Sequence, residues 1–288
     1  MSEPRMELLA VRHGDVAVWS DGAGSRYVLL LHGLGGDHEQ ALGLTPAASE
    51  LGPGEWMRVA VDMRAHGCTP ATGPVDSLTF EAFADDVADV IEAVGARAGR
   101  PPIAVAGVSM GAEVALHLVA KRPLAAAALI LVRPAWAGGQ VQNPMLPLYE
   151  LVRSYLRAEG PSGVARFVQT PEYQEILRRS PQAAQSLRRQ FERLSAAERA
   201  DVLTAIPRSP QLPLEQVRRI RLPTLVLAAP HEPGHPVSAA ETLAAALGGP
   251  VQFTMLPQKL PERGEHERRL LAATGAFLMS LDPFGRRA

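Results

Sequence analysis

The segment Ile103-Ala104-Val105-Ala106-Gly107-Val108-Ser109-Met110-Gly111 reads as an apolar strand running directly into a helix. Its last five residues match G-x-S-x-G. The flanks give the match its meaning: an apolar run before it, and a helix after it from Met110 to about Lys121, ending before Pro123. A strand-to-helix turn this tight forces Ser109 into a strained backbone conformation, and Gly107 and Gly111 remove side chains that would clash. The turn presents the Ser109 hydroxyl at the C-terminal edge of a sheet. It also sets it beside a helix N-terminus, whose free N–H groups favour developing negative charge. Ser109 is the candidate nucleophile; the plainer alternative is a serine in an ordinary strand–helix loop.

Outward from this turn, other short apolar runs have strand length: Tyr27–Leu31, Met57–Val61, Ala128–Val132 and Thr224–Ala228. Most are almost continuously apolar, which suits strands covered on both faces, as in a parallel sheet. Val251–Met255 alternates and fits an edge strand, and Asp15–Trp19 fits an antiparallel N-terminal one. Between them, Thr79 is a plausible N-cap for a helix carrying Phe80, Phe83, Val87, Val90, Ile91 and Val94 at spacings of three or four, with Gly95 and Gly99 as stop signals. Strands alternating with helices predict an α/β fold with a mostly parallel, helix-flanked sheet.

The rhythm breaks between about Pro134 and Leu222. Helical pieces punctuated by proline run over Pro144–Ala158, Pro161–Val168, Pro171–Arg178, Pro181–Leu194 and Ser195–Ile206. The expected organisation is a core first part (1–133), an inserted helical cap (134–221) and a core second part (222–288). Leu146, Leu148, Tyr149, Tyr155, Phe167 and Tyr173 are candidate pocket-facing groups of the cap, against a default reading of core packing.

A second signal is Leu31-His32-Gly33-Leu34-Gly35-Gly36, directly after an apolar strand. Its glycines allow close backbone approach to a substrate, and the N–H of Leu34 is expected to pair with that of Met110 as oxyanion donors. His32 reads as a hydrogen-bonder within the loop. A third signal is Asp62-Met63-Arg64-Ala65-His66-Gly67. Together the three resemble the α/β-hydrolase superfamily, whose members commonly show His-Gly after strand three, Asp-x-Arg-Gly-x-Gly after strand four and the nucleophile elbow after strand five. The resemblance covers nearly the whole chain. Ala65 departs from the usual glycine, and Asp62 is then a loop-ordering residue.

A serine needs a base, and the base needs an orienting acid. The resemblance implies the chain order nucleophile, acid, histidine. It places the acid after strand seven, where Glu232 stands in Ala229-Pro230-His231-Glu232-Pro233-Gly234-His235-Pro236. Glu for Asp lengthens the arm by a methylene and must shift the histidine contact. No acid lies after strand six, where the chain reads Val132-Arg133-Pro134. The histidine is expected after strand eight, where His266 has no competitor; Gly264-Glu265-His266 departs by one residue from the usual Gly-His. His235 is the reserve candidate, which could instead line the pocket.

Composition sets the boundaries of function. The 288 residues, 47% hydrophobic, suffice for one large domain or one with an insertion. A net charge of −1 and a pI of about 6.7 give no electrostatic reason to expect nucleic acid or an anionic membrane as partner. The single Cys68 excludes an internal disulfide or a Cys-based metal site. The N-terminus lacks a signal-peptide pattern, so a cytoplasmic protein is expected. There is no H-E-x-x-H and no G-x-G-x-x-G after the first strand, so no metal and no nucleotide cofactor are expected. The resemblance implies a serine hydrolase acting on a small carboxylic ester, thioester or lactone through an acyl-enzyme. C–C bond hydrolysis, acyl transfer or cyclisation by the same triad, or an idle triad in a ligand-binding protein, are the alternatives. Serine at the elbow argues against the dehalogenase and epoxide hydrolase branches, which carry aspartate there.

Overall fold

The computed structural model describes residues 3–138, 144–193 and 195–281. Leu194, the expected end of one helix, lies outside them, as do 139–143 of the expected cap and 282–288 of the expected second core part. Eight strands form one sheet: β1 (Arg5–Val11), β2 (Gly14–Gly22), β3 (Arg26–Leu31), β4 (Trp56–Asp62), β5 (Ala104–Val108), β6 (Leu129–Val132), β7 (Thr224–Ala228) and β8 (Val251–Met255). Their order is β1-β2-β4-β3-β5-β6-β7-β8. The β1–β2 and β2–β4 pairings are antiparallel, and all pairings from β3–β4 to β7–β8 are parallel. The edge strand β1, whose residues are partly buried or exposed, is absent from the sequence expectation.

The continuous apolar runs have their reason in the two-sided cover. Leu29, Leu31, Val59, Val61 and Val105 face a core shared with Phe83, Val87 and Val90 of the helix Phe80–Ala98. Val28, Leu30, Ala104, Ala106 and Val108 face the opposite core, with Leu270, Phe277 and Leu278 of the helix Arg263–Met279. The period-two alternation thus fills both faces, and each fully buried Val or Leu side chain stabilises the fold by roughly 1.5–3 kcal/mol. Thr79 caps the helix Phe80–Ala98 by accepting from the Ala82 N–H, and Gly99 ends it at φ 70°. Gly95 is not a stop: the helix passes through it.

Between β6 and β7 lie the helices Leu146–Glu159, Pro171–Arg179, Pro181–Arg189 and Val202–Arg208, with shorter turns between them. Their buried residues Val152, Leu156, Phe167, Leu187, Phe191 and Leu203 belong to the same hydrophobic cluster as one face of the sheet.

The register brings the strand ends into line. Leu31 pairs with Gly107, Val108 with Val132, and Val132 with Leu227. The segments that leave β3, β5, β6 and β7 therefore emerge side by side at one edge. The chain order reverses across β3, since β4 lies on one side of it and β5 on the other. Such a switch point opens a crevice at the carboxyl ends of the strands.

Candidate active site

At the elbow Ser109 has φ 54° and ψ −112°, a left-handed-side conformation that a non-glycine residue adopts only under constraint. The two glycines explain how the turn closes. A Cβ on Gly107 would sit 2.1 Å from the Gly111 carbonyl oxygen, and one on Gly111 would sit 2.4 Å from that of Leu31. The elbow is pressed against itself and against the end of β3. A Cβ on Gly33 would lie 3.4 Å from Ser109 Cβ, so the glycine loop after β3 borders the serine directly. His32 fixes that loop: its Nε2 accepts from the Met63 N–H at 3.0 Å and its Nδ1 donates to the Gly33 carbonyl at 2.8 Å. Burial drives its pKa down, in keeping with a neutral ring. Asp62 orders the neighbouring loop, accepting from the backbone N–H groups of His38 and Cys68 and from Trp19 Nε1. Ala65 has φ 63°, which accounts for the glycine usual at that place.

Glu232 follows β7 in a turn, Glu232-Pro233-Gly234-His235, closed by a hydrogen bond from the His235 N–H to the Glu232 carbonyl at 3.0 Å. This turn brings the two side chains of the same loop together, with His235 Nδ1 3.0 Å from Glu232 Oε2. His235 Nε2 is 2.8 Å from Ser109 Oγ. Glu232 is 95% buried at its side chain. Its oxygens also accept from Arg133 Nη1 at 2.9 and 2.8 Å and from Gln182 Nε2 at 2.8 Å. Burial alone would raise its pKa. The Arg133 charge and the hydrogen bonds of His235 and Gln182 overcome that and hold the carboxyl far below the usual carboxylate range. An ionised Glu232 can only accept, so the proton on the His235 ring sits at Nδ1 and Nε2 accepts from the Ser109 hydroxyl. Burial, aided by the charges of Arg133 and Lys259, lowers the His235 pKa against the opposing pull of Glu232.

The structure thus brings Ser109 and Glu232 together through His235, and not through His266. The imidazole of His266 is buried at the start of the helix Arg263–Met279, and its Nδ1 lies 2.8 Å from the Pro257 carbonyl. It fixes the segment after β8. Family spacing pointed to His266. The longer arm of Glu232 and the Pro-Gly turn instead place a histidine three residues on within reach of both the acid and the serine. Arg133 stands 99 residues from the acid that it clamps, a separation that hides it in the sequence. Its signal was a lone cation at a sheet edge in an apolar stretch.

Leu34 lies in the glycine loop that borders the serine, next to Gly33, and Met110 opens the helix Met110–Lys121. Neither backbone N–H has an acceptor among the described residues. The segment between β6 and β7 closes over this edge. Gln182 reaches Glu232, the Gln190 amide packs where a Cβ on Gly35 would stand, and Arg193 and Arg199 donate to the carbonyls of Ala65 and Gly67. Of the expected pocket-facing groups, Phe167 is instead fully buried among Tyr155, Tyr173 and Phe191, because an interior contact is open to it within the helical segment itself. Leu148 and Tyr149 are partly buried against the core. Among the described residues no group of three or more His, Cys, Asp or Glu side chains could hold a metal ion.

A strand-ordered sheet of this kind, with a strained serine elbow at its switch point, defines an α/β-hydrolase, and the chain is an enzyme of that class. It belongs to the hydrolase family described as serine aminopeptidase, S33, whose profile matches residues 24–260. Protein phosphatase methylesterase 1 of Homo sapiens is 36% identical over 100 residues, which is 35% of this chain and 25% of that protein. The chain therefore matches about a quarter of the length of these curated relatives. The enol-lactonase from Burkholderia xenovorans LB400 superposes with a TM-score of 0.68 at 20% identity, covering 94% of this chain and 96% of that one. A thermophilic esterase from Thermogutta terrifontis gives 0.65 at 22%, covering 93% and 97%. No described helix is long and apolar enough to cross a membrane.

Proposed function

We propose that the protein hydrolyses a small carboxylic ester, thioester or lactone through an acyl-enzyme on Ser109. The observation that carries this reading is the continuous hydrogen-bond chain Ser109–His235–Glu232 at the mouth of the elbow. The ester-cleaving relative and the esterase and lactonase folds support the same chemistry.

In the first half-reaction the Ser109 hydroxyl gives its proton to His235 Nε2 while Oγ bonds to the substrate carbonyl carbon. The carbonyl π pair moves onto oxygen, where the N–H groups of Leu34 and Met110 stabilise it. Glu232 stabilises the doubly protonated imidazole. Collapse of the tetrahedral species breaks the bond to the leaving group, which takes the proton from Nε2. Water then repeats the sequence: His235 removes its proton, its oxygen attacks the acyl carbon, and Ser109 leaves with the proton restored. The helical segment between β6 and β7 acts as the cap that confines the substrate, and its contact to Glu232 through Gln182 ties the cap to the acid.

The test is a short-chain p-nitrophenyl ester assay together with labelling by a fluorophosphonate. Ser109→Ala should abolish labelling and reduce turnover by roughly three to six orders of magnitude. A wild-type protein that neither turns over esters nor reacts with the probe would remove the reading.

A further inference from the structure

Three of the four residues in the turn Gly33-Leu34-Gly35-Gly36 are glycine, so the turn has little side chain of its own to hold it in place. A bond from the Gly36 N–H to the Gly33 carbonyl at 2.9 Å closes it. Two glutamine amides then pack on it from other elements. Gln40, in the helix His38–Leu42, accepts from the Gly33 N–H at 2.7 Å through Oε1, which lies 2.2 Å from where a Cβ on Gly36 would stand. Gln190 comes from the segment between β6 and β7. Its Oε1, Nε2 and Cδ lie 2.1, 2.3 and 2.5 Å from where a Cβ on Gly35 would stand, so its amide rests on the Gly35 backbone itself. Gln190 is only 2% exposed, and its amide is pinned at both ends. Nε2 donates to the Ser186 carbonyl at 3.2 Å, and Oε1 accepts from Arg193 Nη1 at 3.4 Å. Arg193 in turn donates to the Ala65 carbonyl. These bonds leave the glycine turn itself untouched, so what Gln190 offers the turn is a fixed surface.

The same segment carries Gln182, whose Nε2 donates to Glu232 Oε1 at 2.8 Å. Gln182 and Gln190 are eight residues apart, along the helix Pro181–Arg189 and the turn that follows it. At helical rise that is a span of about 12 Å. One element therefore touches the acid at one end and the glycine turn at the other, and Gly33 of that turn borders Ser109. We infer that Gln190 is a positioning residue: it holds the turn 33–36 beside the elbow, so that the Leu34 N–H is in place for the oxyanion only while this helical segment is docked. The inference rests on the acyl-hydrolase reading for its part in the reaction, but the hold on the turn can be judged without turnover. A donor acts on the transition state only at hydrogen-bond distance, so a turn that drifts costs rate far more than it costs substrate binding.

The experiment uses Gln190→Ala, together with Gln190→Met, which keeps bulk against Gly35 without the two hydrogen bonds. Thermal midpoints establish that each is folded. With p-nitrophenyl butyrate, kcat should fall about 10- to 100-fold in Gln190→Ala and by a smaller factor in Gln190→Met, while KM stays within about threefold. An alkyl trifluoromethyl ketone, whose adduct on Ser109 carries an oxyanion, should bind more weakly by about the same factor as the loss in kcat/KM. Partial unfolding would lower the apparent kcat but leave the affinity of the folded fraction unchanged. Backbone hydrogen exchange over residues 33–37 should quicken by about tenfold in Gln190→Ala, with β5 exchanging as in the wild type. Wild-type kcat and ketone affinity in both variants would overturn the inference, and so would unchanged exchange in the turn. Faster exchange with wild-type kcat would make Gln190 a structural residue only, which also overturns it. If the wild type neither turns over esters nor reacts with a fluorophosphonate, the acyl-hydrolase reading fails, and the exchange measurement still decides whether Gln190 holds the turn.

Discussion

The proposed mechanism turns on a single residue, His235. Its Nδ1 meets Glu232 and its Nε2 meets Ser109, so in that mechanism its neutral form is the base. The groups that face it are Glu232, Arg133 and Lys259. Burial and the two cations outweigh the carboxylate, so its pKa lies below the ordinary 6.5. A base must be unprotonated, so kcat/KM should rise with pH through an inflection below 6.5 and then level off. An inflection well above 6.5 would contradict the assignment. The two histidines separate cleanly by mutation. His235→Ala should approach the Ser109→Ala background. His266→Ala should lose about 1 kcal/mol of stability with its bond to Pro257, by urea denaturation, and lower kcat by less than about tenfold. Arg133 is legible only in hindsight. It occupies φ 46° after β6, a strained conformation for a non-glycine residue, and spends Nη1 on the acid. Sequence order alone hides a clamp between residues 99 positions apart.

At the scale of elements, the strand-turn-helix of the elbow is the part that reading the chain recovered best. The apolar run, the two glycines and the helix start are local, and local steric demands are written locally. The register of β3 against β5 then places the glycine loop after β3 beside the elbow without further information. What depended on packing was less legible: β1 leaves its apolar Met6 and Leu8 exposed, Gly95 is absorbed by its helix, and the histidine followed a turn rather than a family spacing. The tightness of the elbow is testable. In Gly111→Ala the new Cβ would meet the carbonyl oxygens of Leu31 and His32 at 2.4 and 2.7 Å, and neither is a flexible side-chain end. The end of β3 must move, carrying the Leu34 N–H with it. Stability should fall by about 2–3 kcal/mol, and fluorophosphonate labelling should slow in step. Labelling at the wild-type rate in a variant destabilised by that amount would show that the loop after β3 is not coupled to the elbow.

Across the whole molecule the helical segment between β6 and β7 is not a separate body resting on the sheet. Its interior side chains Val152, Leu156, Phe167 and Phe191 belong to one hydrophobic cluster with Leu29, Val59 and Val105 of the strands. Polar contacts reinforce the union from the same segment: Gln182 to Glu232, Arg193 to Ala65 and Arg199 to Gly67. In the sequence this stretch stands apart from the rest because its proline-broken helices differ in rhythm from the strands. A shared core cannot be seen in rhythm, because it depends on which apolar stripe meets which. A continuous core predicts that the segment and the sheet unfold together. Phe167 is the place to ask, being fully buried and ringed by Tyr155, Tyr173 and Phe191. Phe167→Ala should cost about 3–5 kcal/mol, and near-UV and far-UV circular dichroism should report one coincident urea transition shifted to lower denaturant. Two separated transitions, with the first lost in the variant, would instead mean that the segment melts alone. The acid would then lose its Gln182 contact before the sheet opened, and activity would disappear ahead of the main unfolding step.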